Sequence, residues 1–266
     1  MASVIAAIDL GGMSAVLIAV SLICVLGAAV VRGFSGFGFS LLSITSLSLV
    51  MEPAEIVPSI FMLEIAASLP LLPGIWRDVH WRSIGWLLLG YTVFVPFGVW
   101  LLANAPVAPM KLAMGLFVIA TAILLLRGFA LKQMPNRAAT LAAGGASGLL
   151  NGAFGIGGPP VVLFYFSSPA GAAAGRASII AFFIATDLLG LGFQAREGLI
   201  TATSFWRFLL FLPPLLIGVW IGNRGFKSAD PALFRRIVLW LLVLLAVMTA
   251  GQGLFQLWSG SPGASI

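Results

Sequence analysis

RGFSGFGFS, residues 32–40, and NGAFGIGGPP, residues 151–160, decide how this chain is read. Each interrupts an otherwise apolar sequence with a cluster of glycines. LLSITSLSLV follows the first and VVLFYF the second. Aligning Arg32 with Asn151 brings Gly33, Gly36 and Gly38 over Gly152, Gly155 and Gly157. The register runs on without a gap: Ala54 with Ala173, Ser59 with Ser178, Ile60 with Ile179, Ile65 with Ile184, Ala66 with Ala185, Leu69 with Leu188. The chain is therefore a duplicated unit, with one break near the start of each copy.

Such a break needs a physical reason in a chain this apolar. Of 266 residues, 61% are hydrophobic and 8% charged, with a mean hydropathy of +1.12. Soluble domains carry about 25% charged residues, so the fold class is an all-α polytopic membrane protein. In hydrocarbon an opened helix leaves backbone N–H and C=O groups without water, which is tolerated only against protein or beside a polar cavity. Paired broken segments at corresponding positions of two halves point to a transporter's binding site. The two breaks are accordingly read as the walls of one site.

The net charge of +6 raises the possibility of nucleic-acid binding, but the basic residues lie scattered between apolar segments. That is the positive-inside bias of membrane proteins, and no nucleic-acid partner is expected. The single cysteine, Cys24, excludes an internal disulfide, and one cysteine with one histidine, His80, cannot build a His/Cys metal cage. No cofactor and no catalytic residue is expected, because no nucleophile–histidine pair is visible. The N-terminus lacks the basic region of a cleavable signal; its first charge is Asp9.

Five apolar segments are legible in each half, 1–130 and 131–266, joined by RGFALKQMPNR at residues 127–137. A spanning helix needs about 20 apolar residues. The last three segments of each half approach that length; those flanking the second break fall short. Basic residues cluster at Arg77 and Arg82, at Arg127, Lys132 and Arg137, and at Arg224, Lys227, Arg235 and Arg236. All three clusters face the cytoplasm only if each pair of segments around a break returns to its own side. Three full spans then remain per half, and an odd number inverts the second repeat relative to the first. The expectation is two inverted repeats with re-entrant hairpins meeting at mid-membrane and both termini outside. The competing topology keeps each break as a kink within a full span.

The helix starts after the breaks aim backbone N–H groups and a positive dipole end at the tip, which suits an anion. Candidate substrate-binding residues are Arg32, Gly33, Ser35, Gly36, Gly38 and Ser40 in the first half, and Asn151, Gly152, Gly155, Gly157 and Gly158 in the second. The matched pair Ser59 and Ser178 joins them, against the alternative that each bonds back to its preceding turn. The glycines could instead serve close helix packing. Glu64 and Asp187, one turn apart in register, are candidates for proton coupling or gating, or for a structural ion pair with Arg32 or Arg207. For Arg32, a charge for the substrate competes with snorkelling to a lipid head group or pairing to a carboxylate such as Glu52. The repeated GVW, Gly98 to Trp100 and Gly218 to Trp220, reads as packing and anchoring.

GFSGFGFSLL early and NGAFGIGGPPVVLFYF midway, in a small duplicated membrane protein, resemble the sulfite exporter TauE/SafE family of permeases. The resemblance covers nearly the whole chain and is most specific at NGxxGIGGP. It implies export of small anions across the bacterial cytoplasmic membrane, typically sulfite or organosulfonates such as sulfoacetate, with binding carried by Gly33 to Ser40 and Asn151 to Pro159. An anion channel without ion coupling is the alternative. The expected partners are a small anion, membrane lipid and, as an assembly left open, a second copy in a homodimer.

Overall fold

The computed structural model describes residues 12–35, 37–127, 136–166, 172–225 and 231–259. Among them lie ten helices of more than two turns. The first half holds α1 (Ala15–Ser35), α2 (Phe39–Leu47), α3 (Pro53–Ser68), α4 (Trp81–Asn104) and α5 (Val107–Leu126). The second half repeats the order as α6 (Arg137–Phe154), α7 (Gly158–Phe166), α8 (Ala172–Arg196), α9 (Ala202–Gly225) and α10 (Pro231–Ser259).

At the second break the chain turns back on itself. Gly155 takes a left-handed conformation, φ 68°, and its N–H bonds the Asn151 carbonyl at 2.8 Å, which closes α6. Glycine enters that region without the steric cost other residues meet. Two residues later, the Gly157 carbonyl accepts a bond from the Ser147 hydroxyl at 2.7 Å. Ser147 lies about 10 Å back along the axis from the end of α6 at 1.5 Å per residue. A kinked, continuing helix could not bring these two together. At the first break Gly38, φ 91°, caps α2 and lies back against the Val31 side chain. Both α2 and α7 have nine residues, roughly 13 Å at the helical rise and less than half of a ~30 Å hydrocarbon layer.

Glycine notches set the close helix pairs and their directions. Side chains added at Gly90, Gly144, Gly148 or Gly152 would strike the facing backbone between α4 and α6; on that pair Gly90 sits at Leu141 and Gly98 at Leu149, so the helices run parallel. In α1 and α9, Gly218 meets Leu26 and Gly222 meets Val30 and Gly33, again parallel. For α5 and α10 the order reverses. Gly115 faces Ala246 and Ala250, while Gly253 faces Ala108 and Leu112, so these two are antiparallel. The principal contacts thus join one half to the other, and α3 crosses α8 at the centre.

The short α2 is braced by the α5–α10 pair. Gln252 donates to the Leu49 carbonyl at 3.0 Å, the Thr249 hydroxyl to the Thr45 carbonyl at 3.3 Å, and Lys111 to Gln252 at 3.1 Å. Outward-facing residues are large and apolar: Phe97 and Trp220 are each 55% exposed, and Val93 and Leu216 lie beside them. Faces of that kind and extent belong in lipid rather than water.

Among the described residues, seven helices are long and apolar enough to cross a membrane, and the protein is a multi-pass membrane protein. Six are the spans expected from the charge pattern. The seventh is α1, apolar from Ala15 to Phe34, which at 20 residues reaches full spanning length. Its counterpart α6 has 18 residues and is diluted by alanine and glycine.

Candidate functional site

The two breaks meet. Between them lies a cavity of about 40 Å³. That volume exceeds the roughly 10–15 Å³ that one water needs. Its walls follow the repeat register: Phe37 opposite Ile156, Gly38 opposite Gly157, Ser40 opposite Pro159, and Glu64 opposite Phe183 all line it. Asn151, Gly158 and Asp187 complete the polar side. Each half contributes its hairpin tip and one turn of its third helix.

In the first half the centre is the Glu64 carboxylate, 3% exposed. Its Oε2 accepts from Arg32 Nη1, in a buried salt bridge. The other guanidinium nitrogen of Arg32 donates to the Ser68 hydroxyl, one turn further along α3. Glu64 Oε1 accepts from the Ser40 hydroxyl at 2.5 Å and the Ser40 N–H at 3.2 Å. A carboxylate therefore occupies the N-terminal amide of α2, where the helix dipole favours negative charge. Arg32 stands behind Glu64 and does not line the cavity.

In the second half Asn151 takes the place of Arg32. Its Oδ1 accepts from the Gly157 N–H at 2.9 Å, which fixes the tip. Its Nδ2 donates to the Tyr91 hydroxyl at 3.0 Å and reaches Asp187 Oδ1 at 3.4 Å. Tyr91 in turn donates to the Thr186 carbonyl at 2.9 Å. Asp187 occupies the register position of Ser68. The contacts Arg32–Ser68 and Asn151–Asp187 are thus one contact made twice, cationic in one copy and anionic in the other. Asp187 is 5% exposed and has no ion-pair partner among the described residues.

Of the residues named from sequence, the cavity gathers Gly38, Ser40, Glu64, Asn151, Gly157, Gly158 and Asp187. Gly33 and Gly152 lie at helix contacts, against Val219 of α9 and Val95 and Val99 of α4. Gly155 presses on Ile44 and Val57. Ser59 donates to the Ser204 carbonyl at 2.8 Å, and Ser178 accepts from the His80 N–H at 2.9 Å. These serines tie α3 and α8 to the starts of α9 and α4, so they bond across halves rather than to their own preceding turns. Gly36 lies outside the described residues, as does the Ser35 side chain. Arg207 pairs with Glu55 at 3.0 Å, not with either central carboxylate. Tyr91, Ser147 and Ser68 had no sequence signal of their own. For Ser68 the register was available, since it stands opposite Asp187.

Comparison with known proteins agrees with this architecture. The family model described as "Sulfite exporter TauE/SafE" matches residues 21–249. A relative from Cupriavidus necator, named "Probable sulfite/organosulfonate exporter TauE", is 25% identical over 80% of this chain and 84% of its own length. Another from Comamonas testosteroni, "Probable inner membrane transporter protein TsaS", is 28% identical over 69% of this chain and 78% of its own. No solved structure matches. The matched region contains both breaks, both buried carboxylates and all ten helices in whole or part, and the chain belongs to the sulfite exporter TauE/SafE family, a family of membrane transporters and not of enzymes.

Proposed function

We propose that the protein is a secondary transporter that exports a small anion, sulfite or an organosulfonate, across the bacterial cytoplasmic membrane by alternating access with proton coupling. The cavity where the two hairpin tips meet carries this reading, because residues in register from both halves build it. Around it stand the Ser40 hydroxyl, the Asn151 carboxamide and the start of α2, a donor set suited to oxyanion oxygens. The names of both relatives point to transport, and one of them to sulfite or organosulfonate.

Residues 1–130 and 131–266 form two inverted repeats with both termini outside. Antiparallel α5 and α10 support this: an even number of spans per half would make them parallel. Membrane lipid covers the outer faces, and a homodimer across one of them is part of the same reading.

Efflux of sulfite and of a panel of sulfonates from proteoliposomes tests it. Saturable flux is the expected result, and none across the panel would refute transport of these anions. Flux above about 10⁴ per second and indifferent to pH would identify a channel, since domain-scale motions take μs–ms.

A further inference from the structure

We propose that Glu64 is an internal stand-in for the transported anion: its carboxylate holds the donors that the substrate takes over, and it releases them by accepting a proton. This rests on the anion-transport reading above and names the group that couples it.

Glu64 is bonded as a bound oxyanion would be. A guanidinium, a hydroxyl and a helix-start N–H converge on its two oxygens, from Arg32 of α1 and Ser40 of α2. The side chain reaches that position at the cavity wall from α3, which would otherwise end the cavity in open donors. An incoming anion meets those donors only if the carboxylate leaves them. While ionised, Glu64 is buried and cannot leave without stranding its own charge.

Charge counting gives the direction of coupling. Of the buried groups around the cavity region, Arg32 and Glu64 cancel as an ion pair, and Asp187 stands without an ion-pair partner among the described residues. Tyr91, from α4, is neutral and bonded to Asn151 and Thr186. The nearest other pair, Arg207 with Glu55, lies nine residues from Glu64 along α3, about 13 Å at the helical rise. Adding a monoanion alone to that neutral pair would leave an uncompensated negative charge in an apolar setting, which is costly. A proton on Glu64 restores the balance. The Glu64–Arg32 ion pair and the two Ser40 bonds break, one O–H bond forms on the carboxyl, and Arg32 and Ser40 donate to the anion's oxygens instead. At the far side the anion leaves, the proton departs to water, and Glu64 returns to its donors. Empty and loaded sites then carry the same charge, and one proton travels with one monoanion in the same direction.

The test uses wild-type protein first. Methanesulfonate stays ionised at workable pH, so a proton moving with it rides on the protein; sulfite serves as the second probe. In proteoliposomes, one proton per methanesulfonate and no response to an imposed membrane potential are expected; anion flux with no proton movement overturns the proposal. Absence of any anion flux overturns the transport reading itself and this proposal with it. Infrared difference spectra on adding the anion should show a new protonated-carboxyl band that shifts when glutamate is carboxyl-¹³C labelled. No such band, or one unmoved by the label, overturns the assignment to Glu64 while leaving transport standing. Glu64→Gln should bind the anion at least tenfold more tightly, move it without protons, and gain thermal stability when the anion is added. A variant that folds but binds the anion no more tightly than wild type, with proton movement intact, contradicts it.

Discussion

At the residue scale the site is a matter of where charge can be tolerated. Arg32 and Glu64 are almost fully buried, and each depends on the other. Removing one partner of a buried pair leaves the other's charge unpaired, at a cost of about 3–5 kcal/mol. Arg32→Ala is therefore expected to lower the apparent Tm in detergent by many degrees. Replacing both as Arg32→Leu with Glu64→Leu should recover most of the loss while abolishing transport; a double variant no more stable than the single one would argue against a paired charge. The sequence made Arg32, Asn151 and the two intramembrane carboxylates legible, because charge and amide inside apolar runs are rare and the repeat register lined them up. The register also held the matched contacts Arg32–Ser68 and Asn151–Asp187. What it could not show is that Arg32 turns to Glu64 and away from the cavity. That depends on which face of α1 looks toward α3, which packing decides. Tyr91 was invisible for the same reason: a lone tyrosine in a span carries no partner in its sequence.

Elements are set by their glycines in two different ways, and the sequence offered both without assigning either to a particular glycine. Gly38 and Gly155 turn the chain, and their positive φ angles are the reason for glycine there. Gly33 and Gly152, from the same motifs, instead let α1 meet α9 and α6 meet α4 at backbone distance. A motif of glycines does not say which of its members turns and which packs. The contrast can be measured. At Gly222 an added methyl would overlap the Val30 carbonyl and the Phe34 N–H, so Gly222→Ala should destabilise by about 1–3 kcal/mol. At Gly27 nothing lies within 4 Å of the added methyl. Gly27→Ala should be neutral or stabilising by about 0.5–1 kcal/mol, the helical advantage of alanine over glycine. Equal effects at the two positions, read as thermal shifts in detergent, would contradict the notch assignment.

For the whole molecule, segment length and basic loops together led to the expectation of hairpins, since neither alone separates a kink from a reversal. The Gly157–Ser147 bond is the contact that separates them. Orientation follows as a prediction. With Cys24→Ser as background, Ala105→Cys and Gly198→Cys should react with a membrane-impermeant thiol reagent from the outside. Asp78→Cys and Arg137→Cys should react only after the membrane is opened. Labelling of position 137 from the outside would put the linker on the wrong face and remove the inverted arrangement. The antiparallel α5–α10 pair makes the same demand independently.

The central claim is that the two hairpin tips jointly hold the anion, and selenite, the selenium analogue of sulfite, can report it by anomalous scattering from crystals of the wild-type protein. The account predicts one peak in the cavity, within hydrogen-bond reach of Ser40 and Asn151. A protein that transports sulfite yet binds selenite only away from both tips would contradict it.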